Sequence, residues 1–230
     1  MLHREAQAIA RVLGNFPADH LSPLVEIGSS AGNLRLMTKP YIEKVEKELH
    51  QPLRKRGVRI VTCDIKKGVG IDISDDVFDP MVQQQIRDIN PRGLLCCNIL
   101  EHVEDRNGFA GICSSLLQHD GILVVSAPYD FPYHEDPIDT LFRPSPEELA
   151  ALFPGFSICY QEIVQDLTYW QDLISKGAFH TFIILVGRLV KHGIPFRGLE
   201  RWKRFNHRLL WLFRTYKVSV VVLQKQMDSI

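Results

Sequence analysis

The segment Pro23-Leu-Val-Glu-Ile-Gly-Ser-Ser-Ala-Gly-Asn33 constrains the fold more than any other stretch of this chain. Its apolar run, Leu24-Val25-Glu26-Ile27, has the length of a buried strand and runs straight into small residues. Helix-compatible sequence follows, so the segment reads as strand, tight turn and helix N-terminus. Such a turn lets a ligand come close to the backbone, and the first N–H groups of the helix have no intrahelical partner to occupy them. A strand of this kind belongs to a parallel sheet whose ligand crevice lies beyond the carboxyl ends of the strands.

The same rhythm continues along the chain. Leu2 to Leu13 carries apolar residues at helical spacing and stops at Gly14. After the first strand (Pro23 to Gly28), a helix is expected from Gly32 to Leu49, interrupted near Pro40, with Gln51 to Gly57 as a basic insertion. Val58 to Asp64, Val69 to Ile73, Gly93 to Asn98 and Ile122 to Ser126 read as strands two to five. Helices are expected from Asp75-Asp76 to Ile89 and from Phe109 to Gln118. Apolar runs alternating with helices mean βαβ units and a parallel sheet covered on both faces. In the last third, Ser145-Pro-Glu-Glu148 has the form of a capping box with proline at the first helical position. Phe156 to Tyr160 and Lys217 to Gln224 read as strands six and seven, separated by a mostly helical segment, 166–216. The expectation is one domain, 1–230, with 166–216 as a helical cap.

Twenty-seven basic residues balance 27 acidic ones, which argues against a dedicated nucleic-acid binder with its basic excess. The five cysteines form no CxxC pair and mostly lie in apolar runs, as buried reduced thiols of a reducing compartment do. The first residues lack the apolar core of a signal peptide, and no apolar run reaches the ~18 residues that span a bilayer. A cytoplasmic protein is expected.

Two nucleotide-binding frames compete for the glycine turn. In GxGxxG the positions fall on Gly28, Ser30 and Asn33, which keeps one glycine. In ExGxxxG, Glu26, Gly28 and Gly32 all fit, with Ser30 at the middle position, and this frame fits better. Asp64 closes the second strand, where a carboxylate can accept both hydroxyls of a ribose. Asp72, Asp75 and Asp76 lie near the end of the third strand, where an acid can receive an adenine amino group or cap the next helix.

Cys97-Asn-Ile-Leu-Glu-His-Val-Glu-Asp105, followed by Leu117-Gln-His-Asp-Gly-Ile-Leu-Val-Val-Ser-Ala-Pro128, resembles the class I S-adenosylmethionine-dependent methyltransferases, especially the small-molecule group with an LEHV-D signature after the fourth strand. The resemblance runs from roughly Leu24 to Phe156. It implies a doubly wound, mostly parallel seven-stranded sheet of the Rossmann-like methyltransferase type, with the last strand antiparallel. It implies S-adenosyl-L-methionine as cofactor, held by Glu26, Gly28, Ser29, Ser30, Gly32 and Asn33 in the loop, and by Asp64 and Ile65 at the ribose. Asp75 or Asp76 would face the adenine, and Asn98, Ile99 and Leu100 the methionine end. The reaction is then displacement at a sulfonium methyl by a nucleophilic atom, which needs alignment, desolvation and a base, and no metal.

His102 is the first candidate for that base and His134 the second, each with a purely positioning alternative. Glu101 has a similar structural alternative. Tyr129, Tyr133, His134, Asp136, Asp139 and Arg143 crowd a proline-rich loop suited to substrate recognition, or to a polar loop in which Arg143 pairs with Asp139. His134, Asp136 and Asp139 lack a metal-binding spacing, so no metal is expected there. Leu199 to Phe213 is amphipathic, with Trp202, Leu209 and Phe213 on one side and Arg197, Arg201, Arg204 and Arg208 opposite. Residues 197–213 are a candidate for peripheral contact with the inner membrane face, against a helix packed on the domain with a solvated arginine side. Phe179 to Gly187 is a candidate homodimer contact. The expected activity is methyl transfer to a small-molecule or glycan/lipid-linked acceptor, with oxygen preferred. The alternatives are a non-catalytic scaffold of the same fold and an NAD-dependent oxidoreductase.

Overall fold

A computed structural model describes residues 1–29, 40–134, 138–168, 170–171, 174, 186–187 and 211–227. The chain opens with helix α1 (His3–Leu13) and a short α2 (Ala18–Leu21), then strand β1 (Leu24–Ile27). Helix α3 (Pro40–Val45), a π-helical turn (Glu46–His50) and α4 (Gln51–Lys55) lead to β2 (Ile60–Asp64) and the two-residue β3 (Ile73–Ser74). Next come α5 (Pro80–Ile89), β4 (Gly93–Cys97), a 3₁₀ turn (Leu100–His102), α6 (Arg106–Leu116) and β5 (Ile122–Asp130). Helix α7 (Pro146–Ala151), β6 (Phe156–Thr168) and β7 (Thr215–Lys225) complete the described elements.

The strands form one sheet in the order β3-β2-β1-β4-β5-β7-β6. Strands β1 to β5 pair in parallel, while β7 runs antiparallel to both β5 and β6. Alternate residues of each strand enter two cores. Val25, Ile27, Leu94, Cys96, Leu123 and Val125 pack against α5, α6 and α7, whereas Leu24, Leu95, Ile122, Val124 and Val222 pack against α1 and α4. Burial on both faces explains why the central strands are apolar throughout rather than alternating. Among the described residues, no helix is long and apolar enough to cross a membrane.

Several boundaries differ from the sequence reading for local reasons. The stretch expected as a basic insertion is helix α4, because Pro52 sits in its first turn and Leu53 is buried. Asp79, not Asp75 or Asp76, caps α5, accepting the Met81 N–H at 2.7 Å. Asp105 caps α6, accepting from Gly108 at 2.8 Å, and so starts that helix before Phe109. The capping box at α7 forms as expected, with Ser145 and Glu148 exchanging hydrogen bonds at 3.2 and 2.8 Å. Strand β6 continues through Asp166 to Thr168, so the segment expected as a cap begins with strand. At its other end residues 211–214 are turn and bend, with Trp211 buried and Phe213 exposed, so the amphipathic helix does not extend to Phe213. The rest of that helix and 179–185 of the expected homodimer contact lie outside the described residues, while Val186 and Gly187 are exposed.

Helix α1 is held to the sheet by a buried carboxylate. Glu5 is wholly inaccessible and accepts from the Leu2 N–H at 2.7 Å, from Asn98 Nδ2 at 2.9 and 3.1 Å, and from the Ser126 hydroxyl. It thereby joins the N-terminus to the carboxyl ends of β4 and β5. Glu5→Ala strands three donors in the interior, and urea denaturation should register a loss of at least ~2 kcal/mol.

Candidate active site

A cleft of about 510 Å³ opens beyond the carboxyl ends of β1, β2 and β4. Gly28, Asp64, Ile65, Asn98 and Ile99 contribute to its walls. Gly28 has φ +76°, a left-handed conformation, and a Cβ placed on it would stand 3.2 Å from Ile99 Cδ1. The Gly28 and Ser29 N–H groups both donate to the Cys63 carbonyl, at 2.8 and 3.3 Å, stitching the turn to β2. The Ser29 hydroxyl is buried with no hydrogen-bond partner among the described residues. Ser30, Gly32 and Asn33 lie outside the described residues.

Asp64 is 7 % exposed, and its Oδ1 accepts the Lys66 N–H at 2.8 Å. The Asp75 N–H donates to the Asp64 carbonyl at 3.1 Å, which brings the acidic pair beside the end of β2. Asp75 and Asp76 both line the cleft. Asp72 turns away, its Oδ2 accepting from the Thr62 N–H and hydroxyl at 2.8 and 2.9 Å. Phe78 and Phe109, ring centroids 6.4 Å apart, supply apolar lining. Burial, with the nearby Asp64 and Asp76, pushes the Cys63 thiol up to about 11, so it is a neutral wall of the cleft.

Besides Ser29, two residues expected at the cofactor do not line this cleft. Leu100 is wholly buried in the core beneath it. Glu26 alternates to the other face of β1, where its Oε2 lies 3.3 Å from His50 Nε2. Burial opposes charge on His50, but Glu26 and Glu46 outweigh it and raise its pKa above the ordinary 6.5. The glutamate in the glycine motif therefore secures the helix after the loop, through an ion pair buried behind the sheet.

The 3₁₀ turn after β4 and the loop after β5 meet beside the cleft. Glu101 is wholly buried, and neither carboxylate oxygen has a hydrogen-bond partner among the described residues. Its Oε1 lies 3.8 Å from both His102 Nε2 and His134 Nε2. Burial pushes the Glu101 carboxyl up to about 8. His102 lines the cleft, and its Nδ1 contacts the Ile138 carbonyl. The His134 ring packs edge-on against His102, centroids 5.2 Å apart, with its Nδ1 3.4 Å from Asp139 Oδ2. Burial lowers the His134 pKa, so its ring is kept neutral.

Asp139 and Arg143, expected at the substrate, chiefly satisfy one another. Arg143 donates to both Asp139 oxygens, at 3.0 and 2.7 Å, while the His134 and Leu141 N–H groups donate at 3.0 and 2.8 Å. Burial opposes charge on Asp139, yet Arg143 and these N–H groups hold its carboxyl down at about 2. The pair shapes the loop that carries His134. Tyr129, 37 % exposed, lies in β5 and the half-buried Tyr133 on the loop that follows, both outside the cleft lining. Asp136 lies outside the described residues. Glu5 is the residue that sequence reasoning missed; its signal is an acid inside the buried stripe of an otherwise amphipathic helix.

No family model and no curated protein matches this sequence. Solved structures do match its fold. A SAM-dependent methyltransferase from Archaeoglobus fulgidus superposes over 97 % of this chain and 94 % of its own, at 13 % identity and a TM-score of 0.52. Coclaurine N-methyltransferase, solved with N-methylheliamine and SAH, covers 96 % of this chain and 70 % of its own, at 12 % identity and 0.51. YjhP from E. coli covers 98 % and 94 %, at 12 % identity and 0.50. The chain has the Rossmann-like fold of the first two, which are methyltransferases.

Two outcomes test this geometry in the ligand-free protein. Gly28→Ala should lower the unfolding free energy by ~1–2 kcal/mol in urea titrations, the cost of a left-handed L-residue, while Ser29→Ala, which removes an unpaired hydroxyl, should be neutral or stabilising. His50 has a folded pKa above its unfolded one, so its contribution is complete below 6.5 and is lost as pH rises through the folded value. The stability gap between wild type and His50→Gln should therefore shrink as pH rises from 6.5 through the folded pKa of His50.

Proposed function

We propose that this chain is an S-adenosylmethionine-dependent methyltransferase acting on a small-molecule or glycan/lipid-linked acceptor, with oxygen as the preferred atom. One observation carries the reading: the left-handed Gly28 turn and the strand-end carboxylate of Asp64 share a single cleft of about 510 Å³. That volume falls within the ~300–1,000 Å³ of small-molecule sites. The A. fulgidus neighbour is a methyltransferase of this cofactor class, which supports the choice of cofactor at the level of the fold.

The residues present fit such a group. The Ser29 hydroxyl is a buried polar atom awaiting a partner at the start of the loop. Asp64 would accept the ribose hydroxyls, with Ile65 and Phe78 offering apolar surface to the base and Asp75 or Asp76 receiving its amino group. Ser30, Gly32 and Asn33 would complete the loop, with Asn98 and Ile99 toward the methionine end. When bound, the cofactor supplies an electrophilic sulfonium methyl. The chain's own residues then have three tasks: to align the acceptor, to exclude water with the apolar Phe78–Phe109 wall, and to take a proton. His102, on the cleft wall, would hold that proton, with His134 packed behind it. The four arginines at 197, 201, 204 and 208 would suit an acceptor with an anionic group at a membrane face.

Calorimetric titration tests the reading. S-adenosylhomocysteine should bind and NAD should not; binding of neither would favour a scaffold. Asp64→Ala should weaken S-adenosylhomocysteine by at least ~1.5 kcal/mol, the scale of hydrogen bonds to a charged group. Unchanged affinity in that variant would refute the assignment of Asp64.

A further inference from the structure

The two imidazoles beside the cleft are oriented by acceptors that can only receive a hydrogen bond. The Ile138 carbonyl accepts from His102, so Nδ1 of that ring carries the proton. Asp139, paired with Arg143, stands 3.4 Å from His134 Nδ1, a buried nitrogen with no hydrogen-bond partner among the described residues, and its negative oxygen favours a proton there. Both Nε2 atoms therefore present lone pairs, and both lie 3.8 Å from Glu101 Oε1. Glu101 is itself wholly buried, with two oxygens that no described donor reaches. Three sets of lone pairs thus converge on one small volume in the protein interior. That arrangement is repulsive unless a proton or a cation stands among them.

We infer that Glu101, His102 and His134 form a three-ligand site for a divalent transition-metal cation of the zinc type. The three ligand atoms lie within 4.8 Å of one another. Edges of 3.8, 3.8 and at most 4.8 Å put a central point about 2.5 Å from each atom, against the ~2.0–2.2 Å of zinc bonds to nitrogen and oxygen. Side-chain shifts of a few tenths of an ångström close that gap. A backbone carbonyl behind one imidazole and a carboxylate behind the other are the supports that metal-ligating histidines use to fix tautomer and ring orientation. Two imidazoles with one carboxylate favour zinc, cobalt, manganese or iron over magnesium or calcium.

Three protein ligands leave a coordination position open, as in catalytic rather than structural zinc sites. Because His102 lines the cleft, that position faces the space an acceptor would occupy. Use of the cation on an acceptor oxygen rests on the methyl-transfer reading; the cation site itself does not. On that reading His102 ligates the cation in place of serving as the base, and a bound acceptor hydroxyl loses its proton to solvent more readily. The alkoxide pair forms the new oxygen–methyl bond as the sulfur–methyl pair withdraws onto sulfur. The acceptor would then be a hydroxyl compound, with a second oxygen nearby if it chelates.

Cobalt(II) provides the probe. Chelator-stripped full-length protein titrated with CoCl₂ should develop visible ligand-field absorption that saturates near one equivalent. His134→Ala and His102→Ala should each weaken binding at least ~100-fold, at the upper end of what even supporting-residue changes cost. Glu101→Gln, which keeps the shape of the side chain, should weaken it at least tenfold. Absorption failing to appear in the wild type, or surviving undiminished in Glu101→Gln and in a His102→Ala/His134→Ala double variant, overturns the site. S-adenosylhomocysteine calorimetry on the same samples shows whether each variant has kept its fold. It also separates the two proposals: cobalt without S-adenosylhomocysteine binding keeps the cation and removes the transferase, and the reverse removes the cation alone.

Discussion

A strand paired in parallel on both sides cannot reach either neighbour through a hairpin. Strand β1 is in that position, between β2 and β4. From β1 the chain proceeds outward through β2 to β3, then crosses back to β4 and outward to β5. The connections leaving β1 and β4 depart in opposite directions, so a gap opens above their carboxyl ends. The described residues proposed for function stand in or beside that gap. The left-handed Gly28 matters because it turns the chain at its edge, close against Ile99 from the opposite side.

Buried ionisable groups gather around the same strand ends, with different partners on different sides. On the α1 face, Glu5 gathers donors from the N-terminus, β4 and β5, and Glu26 takes His50. Glu5 is hydrogen-bonded by three donors and Glu26 is ion-paired with His50, so both hold elements together. Beside the cleft Glu101 has no donor among the described residues, His102 is turned by the Ile138 carbonyl, and His134 stands against Asp139. A buried carboxylate costs free energy unless it is neutralised, and the absence of a structural partner marks this one as available for chemistry. The contrast between Glu5 and Glu101, both wholly inaccessible, is what distinguishes a rivet from a site.

Much of this was legible in the chain. The apolar runs marked β1, β2, β4 and β5, because parallel strands covered on both faces have no polar side to break the pattern. By contrast, β3 is only Ile73–Ser74, and the partly exposed β6 runs on to Thr168. The helix start at Ser145 was legible because a capping box is local chemistry, complete within four residues. Asp64 could be picked out as the acid closing β2. Less was legible where a residue's role depended on which face it took. Glu26 belongs to the glycine motif in sequence, yet strand alternation sends it away from the cleft and toward a histidine on a helix that the motif does not contain. Arg143 and Asp139 read equally well as substrate contacts or as a mutual pair, and four donor groups around one carboxylate decided for the pair.

By itself the sequence determined the layered α/β architecture, the turn at Gly28 and the acids near the ends of β2 and β3. Those follow from hydrophobic period, glycine conformation and chain order, which are properties of neighbours along the chain. Tertiary structure alone decided that Glu5 reaches Asn98 and Ser126, and that His134 comes to stand against His102 and Glu101. Those pairs are 93, 121 and about 30 residues apart, and no local rule links them. The parallel register of β4 with β5 sets their carboxyl ends side by side, and the loops that follow inherit that proximity.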